Sequence, residues 1–316
     1  MDPAMDSNAI YNGTTGSPNN STYSPEDDAY FTRLFVVLIF VILVSLFGMV
    51  GNGTVIWILG FCMKRNSFTT YILNLSVADF AFLIDLDLEI ICSFLNSFYD
   101  TNYSIILIWL LPRLCIFTFS TSQFLLAAIS IDRCVCLFFP LWHKCHRPSY
   151  LSTTVCATIW IFTFLISAID FALAIYIDYF ELWYYQFILN TVLCMPAMTI
   201  STIAMLINVF FLSPHHKRGL ILKSILLALL FFLFFGFPVN ASVLFQMYYI
   251  PTSPYFKHYA AIGTSINSAI NPLIYFLVGR DKKAQSRGRI KKILGELFQE
   301  EESCKEDVEY SFKMHL

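Results

Sequence analysis

Asp79 closes the run Leu73-Asn74-Leu75-Ser76-Val77-Ala78-Asp79, deep inside an apolar stretch. An ionisable group in hydrocarbon costs at least about 2.5 kcal/mol at the centre of a spanning helix, so it is kept for a partner or a function. Asn52, Ser122, Asn267 and Asn271 stand inside other apolar runs. A carboxylate among amides and a hydroxyl offers the oxygen ligands that a small hard cation such as Na+ takes. The same set can instead hold a neutral, hydrogen-bonded acid that ties helices together, and spacing leaves both readings open. No other metal or cofactor is expected. His143, His146, His215 and His216 lack carboxylates at ligand spacing. The nine cysteines show no paired metal spacing, and most read as small buried apolar residues; Cys304 is a weak candidate for a palmitoyl chain.

Three further constellations could do chemistry. Asp85 and Glu89 are four residues apart and share a helix face, while Asp87 points elsewhere. If the shared face looks inward, it makes a negative pocket with Asp170, Asp178 and Glu181, suited to a cationic ligand. Alternatively, Asp87 and Glu89 reach the membrane interface, with one of them pairing with Arg113. The aromatics Trp109, Trp183, Tyr184, Tyr185, Tyr248 and Tyr249 offer cation–π faces or an interfacial belt. Asp132-Arg133 is a charged pair at the end of an apolar run: either it snorkels, or the Arg is held by its neighbour and released to a partner. Finally, Asn271-Pro272-Leu273-Ile274-Tyr275, Gly236-Phe237-Pro238 and Pro196 mark three kinks.

Composition says what positions these groups. The 316 residues are 57% hydrophobic and 13% charged, with 32 Phe and 17 Tyr. Soluble domains carry about 25% charged residues. This composition excludes disorder, a fibre and a nucleic-acid surface, and predicts an integral membrane protein. Apolar runs cover 34–63, 69–97, 103–137, 149–177, 182–213, 224–249 and 259–279, each long enough for the ~20 residues that cross a bilayer as a helix. The expected fold class is therefore all-α: a seven-span helix bundle over 33–280. Residues 281–299 follow as a short amphipathic helix, with Ile290, Ile293, Leu294, Leu297 and Phe298 at helical spacing. An acidic tail, 300–316, and a polar, unordered N-terminal segment, 1–32, complete the domain scheme.

Charge sets the orientation. Lys64 and Arg65, then Lys144 and Arg147, then Lys217 and Arg218, then the basic stretch after 279, fall on one side. Asp100, Asp178, Glu181 and the acidic N-terminal segment fall on the other, with Lys257 as its main cation. The positive-inside rule places the N-terminus outside and the C-terminus in the cytosol of a plasma-membrane protein. Asn12, Asn19, Asn20 and Asn102 then become glycan acceptors.

The chain resembles a rhodopsin-like (class A) G protein-coupled receptor over roughly 34–298. Gly51-Asn52, Leu75-Ser76-Val77-Ala78-Asp79, Asp132-Arg133-Cys134, Trp160, Pro196, Pro238 and Asn271-Pro272-x-x-Tyr275 fall in the right spans and order. Within that class it is similar to the Mas-related receptors. Gly60-Phe61-x-Met63-x-Arg65, Tyr71-Ile72-Leu73-Asn74-Leu75, Pro140-Leu141-Trp142-His143-x-Cys145-x-Arg147-Pro148 and Gly236 in place of the usual Trp carry that likeness. The resemblance implies a heterotrimeric G protein as partner, with Arg133 beneath its inserted helix, and with Asp132, Asn271, Pro272, Tyr275, Gly236 and Pro238 in the activation machinery. It also implies a sodium pocket of Asp79, Ser122 and Asn271. Mas-related receptors take basic peptides and amphipathic cations on acids near the outer ends of spans four and five. Asp170 matches the first, whereas Tyr184 stands at the second, so that pair is half present. The segments 98–113 and 177–182 lack the Cys of the usual outer disulfide, and no outer disulfide is expected.

Competing classes fare worse. A retinal-binding opsin needs a Lys in the last span, and 259–279 has none. A transporter built from repeats needs two related halves, which are absent from the pattern. An enzyme would need a catalytic or metal set. The expected function is thus a receptor for a cationic peptide or amine in a lipid bilayer, with no nucleic-acid partner. A receptor for a neutral or anionic metabolite, reading it through Arg113 and Lys257, is the second ligand class. A constitutive or partner-modulating receptor is the third reading.

Overall fold

A computed structural model describes residues 25–63, 65–99, 105–148, 150–177, 183–207, 226–236, 239–240 and 256–280. No strand occurs among them. The chain forms α1 (Pro25–Trp57), α2 (Ser67–Tyr99), α3 (Ile105–Phe138), the short α4 (Pro140–Cys145), α5 (Leu151–Ile177), α6 (Trp183–Leu189), α7 (Met195–Ile207) and α8 (Phe256–Arg280). Turns of π-helix cover Ile58–Cys62, Asn190–Cys194 and Phe232–Gly236. The second of them joins α6 to α7 as one spanning rod. Thr32–Cys62, Leu110–Phe138, Leu151–Tyr176 and Tyr185–Ile207 are long and apolar enough to cross a membrane. The end of the bundle at which α1 begins is called upper below, and the opposite end lower.

Local chemistry explains the boundaries. α1 starts at Pro25, inside the segment whose composition reads as unordered. Proline suits the first helical position. Asn66 caps α2: its Oδ1 accepts from the Thr69 backbone N–H at 2.7 Å, and its own N–H donates to Thr69 Oγ1 at 2.8 Å. That is the reciprocal logic of a capping box. Phe139-Pro140 breaks α3 from α4, which lies as a separate short helix beside its end.

Burial ranks the helices. In the most apolar window of Leu110–Phe138, 67% of residues are buried, against 17% for both Thr32–Cys62 and Leu151–Tyr176. α3 is thus the central pillar, while α1 and α5 expose Leu43, Phe47, Val50, Ile161, Phe164 and Leu165 along faces suited to lipid. The lower core gathers Ile72, Leu75, Leu125, Ile129, Met198, Leu229, Phe232 and Tyr275. A smaller upper core holds Val41, Leu83, Phe119 and Phe187.

α1 meets α8 through small residues, the usual means of close approach in a membrane. A Cβ added to Gly48 would lie 2.7 Å from Ala269 Cβ and 2.9 Å from Ala269 Cα. One added to Gly51 would lie 3.0 Å from Pro272 Cβ. The contact also solves a backbone problem. Pro272 has no N–H, so the carbonyl four residues earlier, on Ser268, loses its helical donor. Asn52 Nδ2 donates to that Ser268 oxygen at 3.1 Å. Water cannot do this inside a bilayer, so the amide of α1 supplies the missing hydrogen bond.

Gly48→Leu should therefore force α1 off α8. Overpacking of a close-packed site costs about 1–3 kcal/mol. The expected result is a lower melting temperature in detergent and less folded protein at the cell surface. Gly60→Leu, where a Cβ meets nothing within 4 Å, should change neither.

Candidate functional site

Residues 118–123 of α3 read Thr-Phe-Ser-Thr-Ser-Gln, a polar belt in an otherwise apolar helix. Each successive side chain is rotated by about 100°. With α3 at the centre, the belt faces a different neighbour at almost every step. Thr118 Oγ1 donates to Asp85 Oδ2 on α2 at 3.1 Å, and Ser122 Oγ to Asp79 Oδ1 on α2 at 2.6 Å. Ser120 Oγ accepts from Asn190 Nδ2 of the π-turn after α6 at 2.8 Å. Thr121 and Thr163 of α5 share a hydroxyl bond of 2.8 Å. Gln123 Oε1 accepts from Asn240 Nδ2 at 3.1 Å.

Asp79 sits at the centre of this belt with no exposed surface. Its second oxygen accepts from Asn271 Nδ2 of α8 at 2.8 Å. The carboxylate thus joins α2, α3 and α8, and the structure brings Asp79, Ser122 and Asn271 together. Trp160 of α5 donates from Nε1 to Asn74 Oδ1 on α2 at 3.1 Å. Tyr275 is buried in the lower core, one turn of α8 below Asn271 and Pro272. Gly236 ends a π-turn and lies against the buried Phe232 ring.

At the lower end, Asp132 gathers cations. Arg133 Nη2 lies 2.5 Å from its Oδ2, and Arg147 Nη2 lies 2.6 Å from its Oδ1. His143 Nε2, from α4, stands 3.8 Å from Oδ1. Adjacent helical residues diverge, yet the Arg133 guanidinium is long enough to fold back onto its neighbour. Its Cζ also lies 4.6 Å from the centre of the Phe68 ring, a cation–π contact. Arg147 further donates to Ser152 Oγ at 2.8 Å. The segment after α3 is thereby tied to the start of α5 through one carboxylate. The neighbouring Asp132 carboxylate, then the contact with Cys136, raises the imidazole pKa from 6.5 to about 9. His143 is charged at neutral pH.

At the upper end the acids divide. Asp170 of α5 pairs with Arg113 of α3 at 3.0 Å, the two side chains 6% and 10% exposed. Asp85 and Glu89 both face α3, toward Thr118 and Cys115 respectively. Asp87 is buried on another side, toward Ser45 of α1. Trp183 and Tyr184 stand in the first turn of α6, and the placement of their side chains lies outside the described residues. Asp178, Glu181, Pro238, Asn12, Asn19, Asn20 and Asn102 also lie outside them, as do 281–299 and 300–316. Among the described residues the eight cysteines are free thiols, Cys156 and Cys194 included, and no group of His, Cys, Asp or Glu has metal-binding geometry.

Sequence reasoning did not single out Ser120, Gln123, Asn190, Asn240 or the partnership of Arg147 with Asp132. For the amides the available signal was the density of polar residues in 118–123. Arg147 gave none, because its approach depends on how α4 lies.

Comparison with known proteins agrees with this geometry. A family described as 7 transmembrane receptor (rhodopsin family) matches residues 51–275. The chain is 31% identical over 309 residues to Mas-related G-protein coupled receptor member X1 of Mus musculus, covering 93% of this chain and 91% of that one. It is 32% identical to member B4 of Rattus norvegicus, over 80% of this chain and 79% of that receptor. It is 29% identical to the proto-oncogene Mas of Homo sapiens, over 82% of each.

The raised pKa of His143 makes a testable statement. Stabilisation from its charged form is complete below about pH 6.5 and is lost as pH rises through about 9. In Asp132→Asn the largest cause disappears. The imidazole resonance of isotope-labelled His143 should then titrate well below 9, toward 6.5. Titration of the wild-type imidazole near 6.5 would show that α4 does not dock as described.

Proposed function

This chain belongs to the rhodopsin family of seven-transmembrane receptors, within its Mas-related G protein-coupled branch, and we propose that it transmits binding of an extracellular cationic peptide or amine to a heterotrimeric G protein. Membership of the family makes it a multi-pass membrane receptor. The proposed orientation places the upper end outside, since Arg65, Arg147 and Arg280 lie toward the lower end. The observation that carries the ligand class is the charge imbalance of the upper bundle. The described upper halves of α2, α3 and α5 carry the acids Asp85, Asp87, Glu89 and Asp170 with one guanidinium, that of Arg113, which meets Asp170. Arg113 pairs with Asp170, and the other three acids of this group all lie on α2. A ligand ammonium or guanidinium would enter beside Asp85 and Glu89, with Asp170, Asp178, Glu181, Trp183 and Tyr184 completing the proposed pocket. Arg133 would receive the G protein at the lower end once it leaves Asp132, while Tyr275 and the kinks at Gly236, Pro238 and Pro272 reorganise.

The Arg113–Asp170 pair supports a second reading. A small anionic metabolite could take Asp170's place on Arg113. The two readings separate in one panel. Glu89→Gln and Asp85→Asn should each weaken activation by a basic peptide about tenfold, or about 1.4 kcal/mol. Arg113→Gln should strengthen it by removing a repelling charge. Under the anion reading, Arg113→Gln abolishes the response to the metabolite and the two α2 variants leave it intact. The readout is calcium release and nucleotide exchange at matched surface expression.

The oxygen-rich set of Asp79, Ser122 and Asn271, with Ser268 beside it, suits a sodium ion. When bound, the ion would supply positive charge that holds α2, α3 and α8 in their present arrangement. Sodium should therefore lower basal nucleotide exchange in the wild type and leave Asp79→Asn insensitive, with potassium as the ionic-strength control.

A further inference from the structure

Two turns of π-helix interrupt the spans opposite α3, one at Asn190–Cys194 and one at Phe232–Gly236. Each precedes a proline, Pro196 or Pro238. A π-turn stretches the backbone ladder and marks a place where a helix deforms. An amide pins each loosened turn to α3. Asn190 opens the first turn and donates to Ser120. Asn240 follows the second and donates from the same nitrogen to Gln123 Oε1 at 3.1 Å and to the Gly236 carbonyl at 3.2 Å. Asn190 and Asn240 have no exposed surface, and Gln123 has 1%.

The bond between Gln123 and Asn240 is incomplete. Gln123 Nε2 and Asn240 Oδ1 have no hydrogen-bond partner among the described residues. A buried amide pair with a spare donor and a spare acceptor makes a poor stabilising device, because the unpaired groups offset what the bond contributes. It is instead suited to a contact with two arrangements. In the present one the helices are joined by one bond; a displacement of the second helix frees those groups to pair elsewhere. Gly236 has no side chain, and the Phe232 ring of its own helix occupies the space where one would project, 2.6 Å from a built Cβ.

We infer that the Gln123–Asn240 hydrogen bond is an interhelical latch, holding the span that carries residues 226–236 and Asn240 against α3 in the inactive arrangement and releasing it on activation. This extends the receptor function proposed above and assigns the two amides a positioning role, remote from ligand and G protein.

The test uses full-length receptor in nanodiscs. Gln123→Met and Asn240→Leu each remove the bond with little change of volume, and the double variant loses that same interhelical bond and no further one. If one variant fails to fold, the other carries the test. Hydrogen exchange across 226–240 is read by mass spectrometry, and basal nucleotide exchange is read on a panel of heterotrimers. Each single variant should speed both by about threefold, the order of one interhelical hydrogen bond in a membrane bundle. The double variant should match the singles, because the same bond is lost. Unchanged hydrogen exchange in the folded variants overturns the latch, as does an additive rise in the double. Faster hydrogen exchange with wild-type nucleotide exchange present but unmoved also overturns it. Faster hydrogen exchange with no nucleotide exchange from any form, wild type included, leaves the latch standing and removes the G protein reading instead.

Discussion

A polar group inside a bilayer must find its partner within the protein, and the belt at 118–123 of α3 is where that constraint organises the bundle. Because side chains step round a helix by about 100°, five polar residues in six cannot share a face. Thr118 and Ser122 point to α2, Gln123 to the helix holding Asn240, Ser120 to the rod of α6 and α7, and Thr121 to α5. The angular order of the residues is the angular order of the neighbours. Such bonds average only about 0.6 kcal/mol in membranes, so their collective value is registry more than strength. Slide or rotate one neighbour and its polar residue faces hydrocarbon.

The same accounting applies to the backbone. Prolines leave carbonyls without donors, and the bundle answers in two ways. At Pro272 a side chain from another helix, Asn52, supplies the bond. Before Pro196 the ladder widens into a π-turn, and a π-turn likewise stands just ahead of Pro238. The first answer fixes a helix to its neighbour through Gly48 and Gly51, leaving little room to move. The second leaves a helix internally soft. The contact of α8 with α1 at Gly48 and Gly51, above the π-turn at Ile58–Cys62, is therefore firm, while the spans of Pro196 and Pro238 carry their own points of bending.

What the sequence made legible follows the size of the physical penalty. Asp79 stands out because a carboxylate in an apolar run is expensive, and Ser122 and Asn271 could be grouped with it on residue type alone. Arg133 and Pro272 were equally conspicuous. Gln123 and Asn240 were not, since a neutral amide costs far less to bury and so breaks the apolar pattern less sharply. Position in space was harder still. Arg113 could be matched with the acids of α2 or left unassigned, and only the packing of α3 on α5 sets it against Asp170. Arg147 depends on α4 lying back along α3, which no periodicity encodes. The start of α1 at Pro25 was missed because polar composition outweighed a good helix-initiating signal.

The charges themselves cannot carry a signal down the molecule. Arg113 and Arg133 are twenty residues apart on one helix, about 30 Å at 1.5 Å per residue. Two unit charges at that separation interact by only about 0.5 kcal/mol at an effective dielectric of 20. Useful coupling between sites is about 1–3 kcal/mol. Neutralising an upper acid therefore leaves the Asp132 cluster almost unmoved by direct Coulomb force, and coupling has to pass through the rearrangement of packed helices. The belt lies between the two ends on α3, which carries Arg113 above it and Asp132 below it. A ligand drawing on Asp85 acts one hydrogen bond away from Thr118, within the same belt residues that hold Asp79, Asn190 and Asn240. Rotation of α3 by a fraction of a turn, or withdrawal of one neighbour, would change several of those bonds at once. The coupling the charges cannot supply is then available from exchanging hydrogen-bond partners in the middle of the membrane.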